Sequence, residues 1–346
     1  MGRLSYRTFL ASQWDPVPLV KHDLSGKTIL VVGANTGLGL EAAKLFASMG
    51  PKHLVLACRS LKKGEAAAAE IKTQTGLDGV AVRIVDLAVF SSVIAFAEAF
   101  EKEFDQLDIY VYNAATATHL YEQTVDGWES SLQINVLSCL LLSVLLLPAS
   151  LKAASPSAQA RVVVVASEAH FLHTITEDEL TKPQLLELFN NSAYCTPNSL
   201  TPDKTMKHRY PLTKLLDVFI TRELASRLSA DSPLVVNTVN PGFCKTELNR
   251  IFRFPASVGV KLFEFLFART AEMGSRVLVW GALGGRNRER DLHGAYISDA
   301  AVHEPSDFVL SDEGMQMQKR VWDESVAILS AVSPRFKELA AVHLKN

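Results

Sequence analysis

Seven short apolar runs rich in β-branched residues recur along the chain, each followed by a longer or less regular stretch before the next. They are "KTILVVG" (27–33), "HLVLAC" (53–58), "VAVRIVD" (80–86), "LDIYVYN" (107–113), "RVVVVAS" (161–167), "LVVNTVNPG" (234–242) and "GAYIS" (294–298). Strands that are apolar nearly throughout have to be covered on both faces. A parallel sheet with helices crossing over either side satisfies that requirement. The helical patterns lie at about 38–49, 61–74, 91–103, 126–151 and 210–229. The alternation predicts an α/β fold: a single doubly wound Rossmann-type domain with a mostly parallel sheet of about seven strands and extra substrate-covering segments. No linker interrupts 25–300, so residues 1–24 read as an N-terminal extension and 25–346 as one domain.

A chain of 346 residues, 48% of them hydrophobic, has ample material for such a core. The formal net charge of −2 and scattered basic residues give nucleic acid nothing to bind. Cys58, Cys139, Cys195 and Cys244 form no metal-ligand spacing and read as reduced thiols, so no metal site is expected. The most apolar run, Cys139 to Leu147, stops at Pro148, too short to cross a bilayer. A cytoplasmic protein without a transmembrane span is the expectation.

"VVGANTGLGLEAAKLF" places Gly33, Gly37 and Gly39 between the first strand and its helix. Glycines there permit a tight turn and let backbone amides approach a diphosphate at the positive end of a helix. The spacing is G-x-x-x-G-x-G, and a turn that binds nothing is the competing reading. Cofactor choice is written at the end of the second strand, where a carboxylate would hold the adenosine ribose and an arginine would accommodate a 2′-phosphate. The chain has Arg59 there and no carboxylate before Glu65, which favours NADP(H) over NAD(H).

"YPLTK" (210–214) sets a phenol and an ammonium four positions apart at the start of a helical pattern. Alone, that spacing is a weak signal. Joined in order with "GANTGLG", "LVLACRS", "VDL" (85–87), "QINVL" (133–137), "SEAH" (167–170) and "NPGFCKTEL" (240–248), it resembles the short-chain dehydrogenase/reductase family. The resemblance runs from about 25 to 325 and is nearest to the retinol-dehydrogenase-like branch, including "RTAEMGSR" (269–276) and "GAYISD" (294–299).

The resemblance implies that Tyr210 exchanges a proton with the substrate oxygen. Lys214 would stabilise its phenolate and hold the nicotinamide ribose, and Ser167 would hydrogen-bond the substrate carbonyl. Asn135, inside the long helix, would hold a water linking Lys214 to solvent. Gly33, Asn35, Thr36, Gly37, Leu38 and Gly39 would line the diphosphate turn. Asp86 and Leu87 would touch the adenine, and Asn113 and Ala114 would lie beside the ribose. Pro241, Gly242 and Thr246 would border the nicotinamide and diphosphate. The chain departs from the family at Val32, Tyr112, Ala115, Ser138 and Ala166.

Ser167 and Tyr210 stand 43 positions apart, well beyond the family minimum. The inserted segment, 171–208, is expected to form a lid or pocket wall; a surface excursion is the alternative. The variable region 247–268 puts Val258, Leu262, Phe265 and Leu266 on one helical face and reads as a substrate loop, with membrane or partner contact as the alternative. These features point to an NADPH-dependent carbonyl reductase, or the reverse alcohol dehydrogenase. A hydrophobic aromatic, terpenoid, polyketide or long-chain substrate of the kind met in secondary metabolism is expected. The alternative is a catalytically silent nucleotide-binding scaffold. A homodimer through the helices at 126–151 and 210–229 is implied by the resemblance, although both faces could instead be covered within the chain.

Overall fold

The computed structural model describes residues 12–118, 120–155, 158–195, 206–245, 267–285 and 288–345. The strands are β1 (Thr28–Val32), β2 (His53–Cys58), β3 (Val80–Ile84), β4 (Ile109–Tyr112), β5 (Arg161–Val165), β6 (Val235–Asn240), β7 (Tyr296–Ser298) and β8 (Ala301–His303). They form one eight-stranded sheet in the order β3-β2-β1-β4-β5-β6-β7-β8, parallel from β3 through β7. Chain order reverses between β1 and β4. In a doubly wound sheet, that reversal opens a crevice at the carboxyl ends of the strands.

Successive residues of β1 feed different cores. Leu30 and Val32 join one apolar cluster and Ile29 and Val31 the other, all fully buried. This two-sided burial is why the runs read as continuously apolar. The described helices on the two faces include α1 (Gly37–Ala47), α2 (Leu61–Thr75), α3 (Phe90–Glu103), α4 (Ser138–Leu145), α5 (Leu147–Ala153), α6 (Leu185–Asn190), α7 (Arg209–Arg227), α8 (Ala271–Leu283), α9 (Asp312–Val332) and α10 (Pro334–His343).

Two departures from the sequence reading have physical causes. The sheet has an eighth strand, β8, antiparallel to β7. Its three residues are exposed and carry no apolar run. The connection is Asp299–Ala300, with φ of 51° and 56°, the paired positive values of a tight hairpin turn. Aspartate tolerates that conformation but alanine does not favour it, and the buried Arg269 guanidinium holds Asp299 at 2.5 Å.

The long helix expected at 126–151 is three pieces: a π-helical stretch at Leu132–Leu137, then α4, then α5 at 53° to the helix before it. Pro148 stands in the first turn of α5, where its missing N–H is not needed. No single helix among the described residues is long and apolar enough to cross a membrane. Residues 138–147 are instead buried in the chain's own core.

The chain also covers the helix faces on which dimerisation was implied. Helix α9 packs against α7, and α10 packs against α4. Phe336 of α10 is fully buried in the larger core. Phe336→Ala is expected to cost about 3–5 kcal/mol, read as a lower urea midpoint.

Candidate active site

The residues singled out by sequence gather at the carboxyl ends of successive strands. Gly33 follows β1, Arg59 follows β2, Asp86 lies just past β3, Asn113 follows β4, Ser167 lies just past β5 and Pro241 follows β6. Thr246 and most of the loop 247–268, including Val258, Leu262, Phe265 and Leu266, lie outside the described residues.

Three glycines share the first turn for different reasons. Gly33 has φ +79°, and a Cβ there would stand 2.8 Å from the Ala114 backbone. Gly39 sits where a Cβ would come within 2.6 Å of the Asn113 side chain, so it is a packing glycine that lets α1 approach. Gly37 has φ +58° and open space around it. Asn113 Nδ2 donates to the Gly33 carbonyl at 3.0 Å, tying the first turn to the exit of β4. Thr36 caps α1 with backbone only, and Thr36 is exposed while Asn35 and Leu38 are half-buried. Gly274 brings α8 against the same turn, its absent Cβ lying 2.8 Å from Leu38 Cδ2. Arg59 is exposed and makes no ion pair with a described residue.

Asn135 occupies the π-helical stretch, not a regular helix, and is 1% exposed. Its Nδ2 donates to the Thr116 carbonyl and to Thr213 Oγ1, both at 2.9 Å. Its Oδ1 accepts from Thr116 N–H at 2.8 Å. The side chain therefore braces the loop after β4 against α7, and one Oδ1 lone pair remains for the water that the resemblance implied. Two of the departures support the same place. Tyr112 donates its hydroxyl to the Ile134 carbonyl. Ser138 Oγ donates to the Leu87 carbonyl at 2.7 Å, fixing the loop that carries Asp86.

Helix α7 presents the other pair. Lys214 Nζ lies 5.7 Å from the Tyr210 ring centroid. It donates to the Val165 carbonyl at 2.7 Å and to Asp217 Oδ2 at 2.8 Å. Burial raises the Tyr210 phenol above its ordinary value, although Lys214 and a side-chain hydrogen bond with Ser167 pull it down. Loss of water on burial thus outweighs the nearby ammonium at this phenol. Asp217, missed in sequence, is 1% exposed, and burial raises its carboxyl to about 6. Its signal was the i, i+3 spacing from Lys214 on one helix face.

Two further groups escaped the sequence reading. Gln13 Oε1 accepts from Phe243 N–H at 2.9 Å, so the N-terminal segment lies against the Pro241–Phe243 turn. Arg269 reaches the Ser12 and Pro241 carbonyls and Asp299, knitting three segments beside that turn. Arg209, next to Tyr210, donates to the Phe189 carbonyl at 2.7 Å and pairs with buried Glu129 at 3.4 Å. That network anchors the insert. Leu185, Leu186 and Phe189 are fully buried, and Glu324 of α9 accepts from the first N–H groups of α6. The insert is therefore anchored on the core through Leu185, Leu186 and Phe189, and 196–205 lie outside the described residues.

Comparison with known proteins agrees with this geometry. Residues 27–177 match the family described as short chain dehydrogenase. The chain is 35% identical to short chain dehydrogenase/reductase dmxR8 of Cryptosporiopsis sp. over 332 residues, covering 94% of this chain and 98% of that one. It is 32% identical to short-chain dehydrogenase/reductase phmF of Phaeosphaeria nodorum, covering 93% and 91%. A crystal structure of an uncharacterised protein from Mycobacterium paratuberculosis aligns at a TM-score of 0.64 and 25% identity, covering 92% of this chain and 97% of that chain. The chain belongs to the short-chain dehydrogenase/reductase family.

Short-chain dehydrogenases/reductases are oxidoreductases that use a nicotinamide cofactor. The names of these relatives do not single out the retinol-dehydrogenase-like branch. The first turn of this family member fits such a cofactor: Gly33 and Gly39 have no room for a Cβ, while Gly37 faces open space.

Glu168, beside Ser167, gives a handle on the site's electrostatics. Burial raises its carboxyl from near 4.5 to about 7, aided by Asp299 and opposed by Arg269 and Asn240. A raised acid favours the fold while it is protonated, so this contribution is full below about 4.5 and is lost as pH rises through 7. Glu168→Gln is expected to raise Tm relative to wild type at pH 8 but not at pH 4. The gain should be at most about 3 kcal/mol, measured by thermal unfolding across pH.

Proposed function

We propose that the chain is an NADPH-dependent reductase, or an alcohol dehydrogenase in reverse, acting on a hydrophobic carbonyl compound. The observation that carries this reading is the convergence of Ser167, Tyr210 and Lys214 beside the braced loop of Asn135, at the same carboxyl end of the sheet as the glycine turn. Gly33, Gly37 and Gly39 would seat the diphosphate and Asn113 and Ala114 would border the ribose. Pro241, Gly242 and Thr246 would flank the nicotinamide, and Asp86 and Leu87 the adenine. Exposed Arg59 would meet a 2′-phosphate. When bound, the reduced nicotinamide supplies the hydride.

The protein's own groups manage the oxygen. Ser167 hydrogen-bonds the carbonyl and fixes its orientation. Tyr210 passes its phenolic proton to that oxygen as negative charge develops on it. Lys214 stabilises the phenolate left behind, and Asn135 keeps the loop and helix in register. Leu120 and Leu172, four residues beyond Thr116 and five beyond Ser167, are 62% and 56% exposed. Large apolar side chains left in water next to a polar site suit a hydrophobic substrate better than a sugar. The docked insert would wall the pocket, and 247–268 would cover it, in keeping with an aromatic, terpenoid, polyketide or long-chain substrate. All four cysteines are free thiols, which supports a cytosolic setting.

NADPH oxidation measured across aldehydes, ketones and quinones tests the reading. Turnover of at least one hydrophobic carbonyl is expected, with Tyr210→Phe lowering kcat/KM about 100-fold or more. Tight NADPH binding with no turnover on any substrate would favour a silent scaffold. Arg59→Ala is expected to raise the KM for NADPH about 10-fold or more while leaving that for NADH nearly unchanged, from the loss of one charge-assisted contact. Equal effects on both nucleotides would remove the NADP(H) preference.

A further inference from the structure

Beneath the proposed proton-transfer site lies a carboxylate with no assigned role. Asp217 is one helical turn below Lys214 on α7, and both side chains are almost fully buried. Lys214 Nζ is held between Asp217 Oδ2 at 2.8 Å and the Val165 carbonyl at 2.7 Å. The second carboxylate oxygen, Oδ1, is buried without a hydrogen-bond partner among the described residues. The carboxylate thus spends its only described contact on the lysine.

Stability alone is a poor reason for such a pair. Removing two charges from water costs several kcal/mol per ion, and a well-packed apolar pair often serves a fold equally well. The neighbouring residues of α7 are of that kind: Leu215, Leu216 and Val218 are fully buried. The lysine, however, needs a counter-charge if it is to remain an ammonium there. Burial is the strongest influence on Lys214 and favours its neutral form. The Asp217 charge is the largest influence in the other direction, joined by its hydrogen bond, and Lys214 is raised on balance.

The other groups facing the pair cannot replace that charge. From α4 comes Cys139, whose thiol burial pushes well above its ordinary value, and Ser143 lies one turn beyond it. From β4 come Tyr110 and Tyr112, both phenols raised by burial. From α7 itself come Tyr210 and the hydroxyl of Thr221. All are neutral near pH 7, so Asp217 is the only anion in the group.

We propose that Asp217 is a positioning residue, which keeps Lys214 charged and pinned under Tyr210. This rests on the oxidoreductase reading above, in which a charged Lys214 supports proton transfer by Tyr210. Without the anion, Lys214 loses its proton at lower pH, and the phenol then has no cation beside it.

Asp217→Asn keeps the size of the side chain and removes the charge. In carbonyl reduction with saturating NADPH, the falling alkaline limb of the kcat profile is expected to move down by about one pH unit. Above the shifted limb kcat should fall by up to about 10-fold relative to wild type and recover toward pH 6. Asp217→Glu should return the limb toward its wild-type position. A merely structural role would lower kcat or Tm without moving the limb, so superimposable profiles for wild type and Asp217→Asn overturn the proposal.

NMR titration of the wild-type protein with 13Cε-labelled lysine does not require the variant to fold or any turnover. Lys214, assigned by its loss in Lys214→Met, should remain an ammonium through pH 9. A neutral Lys214 at pH 7.5 overturns the proposal. Absence of turnover by wild type on every carbonyl would instead sink the oxidoreductase reading, while the titration still decides the state of Lys214.

Discussion

Because the sheet is parallel, it must be buried on both faces, and this constraint orders everything else in the molecule. Alternate residues of β1 enter opposite cores, so the centre of that strand carries only apolar side chains. Polar chemistry is displaced to the carboxyl ends, where the backbone ladder stops and carbonyls such as that of Val165 become free to accept from side chains. The reversal of strand order between β1 and β4 then brings the glycine turn and the exit of β4 side by side, joined through Asn113 and Gly33.

The polar residues that do enter the interior work in connected sets. Asn135 gives both Nδ2 donor positions to the protein and thereby links Thr116 to Thr213, whose hydroxyl in turn bonds the Tyr210 carbonyl. The π-helical stretch that carries Asn135 is also where Tyr112 finds the Ile134 carbonyl as an acceptor. The departure at Tyr112 is thus accommodated by local helix geometry. Ser138 similarly converts a departure into a tether on Leu87.

Much of the fold was readable because β-branched runs and helical periodicity are direct consequences of burial. The parts that were not readable depend on contacts between distant residues. β8 has three exposed residues and depends on Arg269 holding the Asp299 turn, a relation invisible in either segment alone. The division of the 126–151 helix was signalled by Pro148, but the π-helical register around Asn135 was not, since it depends on packing against β4 and α7. In the site, Tyr210, Lys214, Ser167 and Asn135 could be chosen because their spacing matches a family pattern. Asp217 fell outside that pattern although its helical spacing placed it beneath Lys214. Gln13 and Arg269 could not be found from spacing, for they meet the Pro241–Phe243 turn from opposite regions of the chain.

Arg209 lies directly before Tyr210 and binds the Phe189 carbonyl and Glu129. The inserted segment is therefore bolted to the first turn of the helix that bears Tyr210. The placement of the insert and the placement of Tyr210 are mechanically coupled in this chain. Replacing the insert would therefore also disturb where the Tyr210 phenol points, unless the replacement carried its own acceptor for the Arg209 guanidinium.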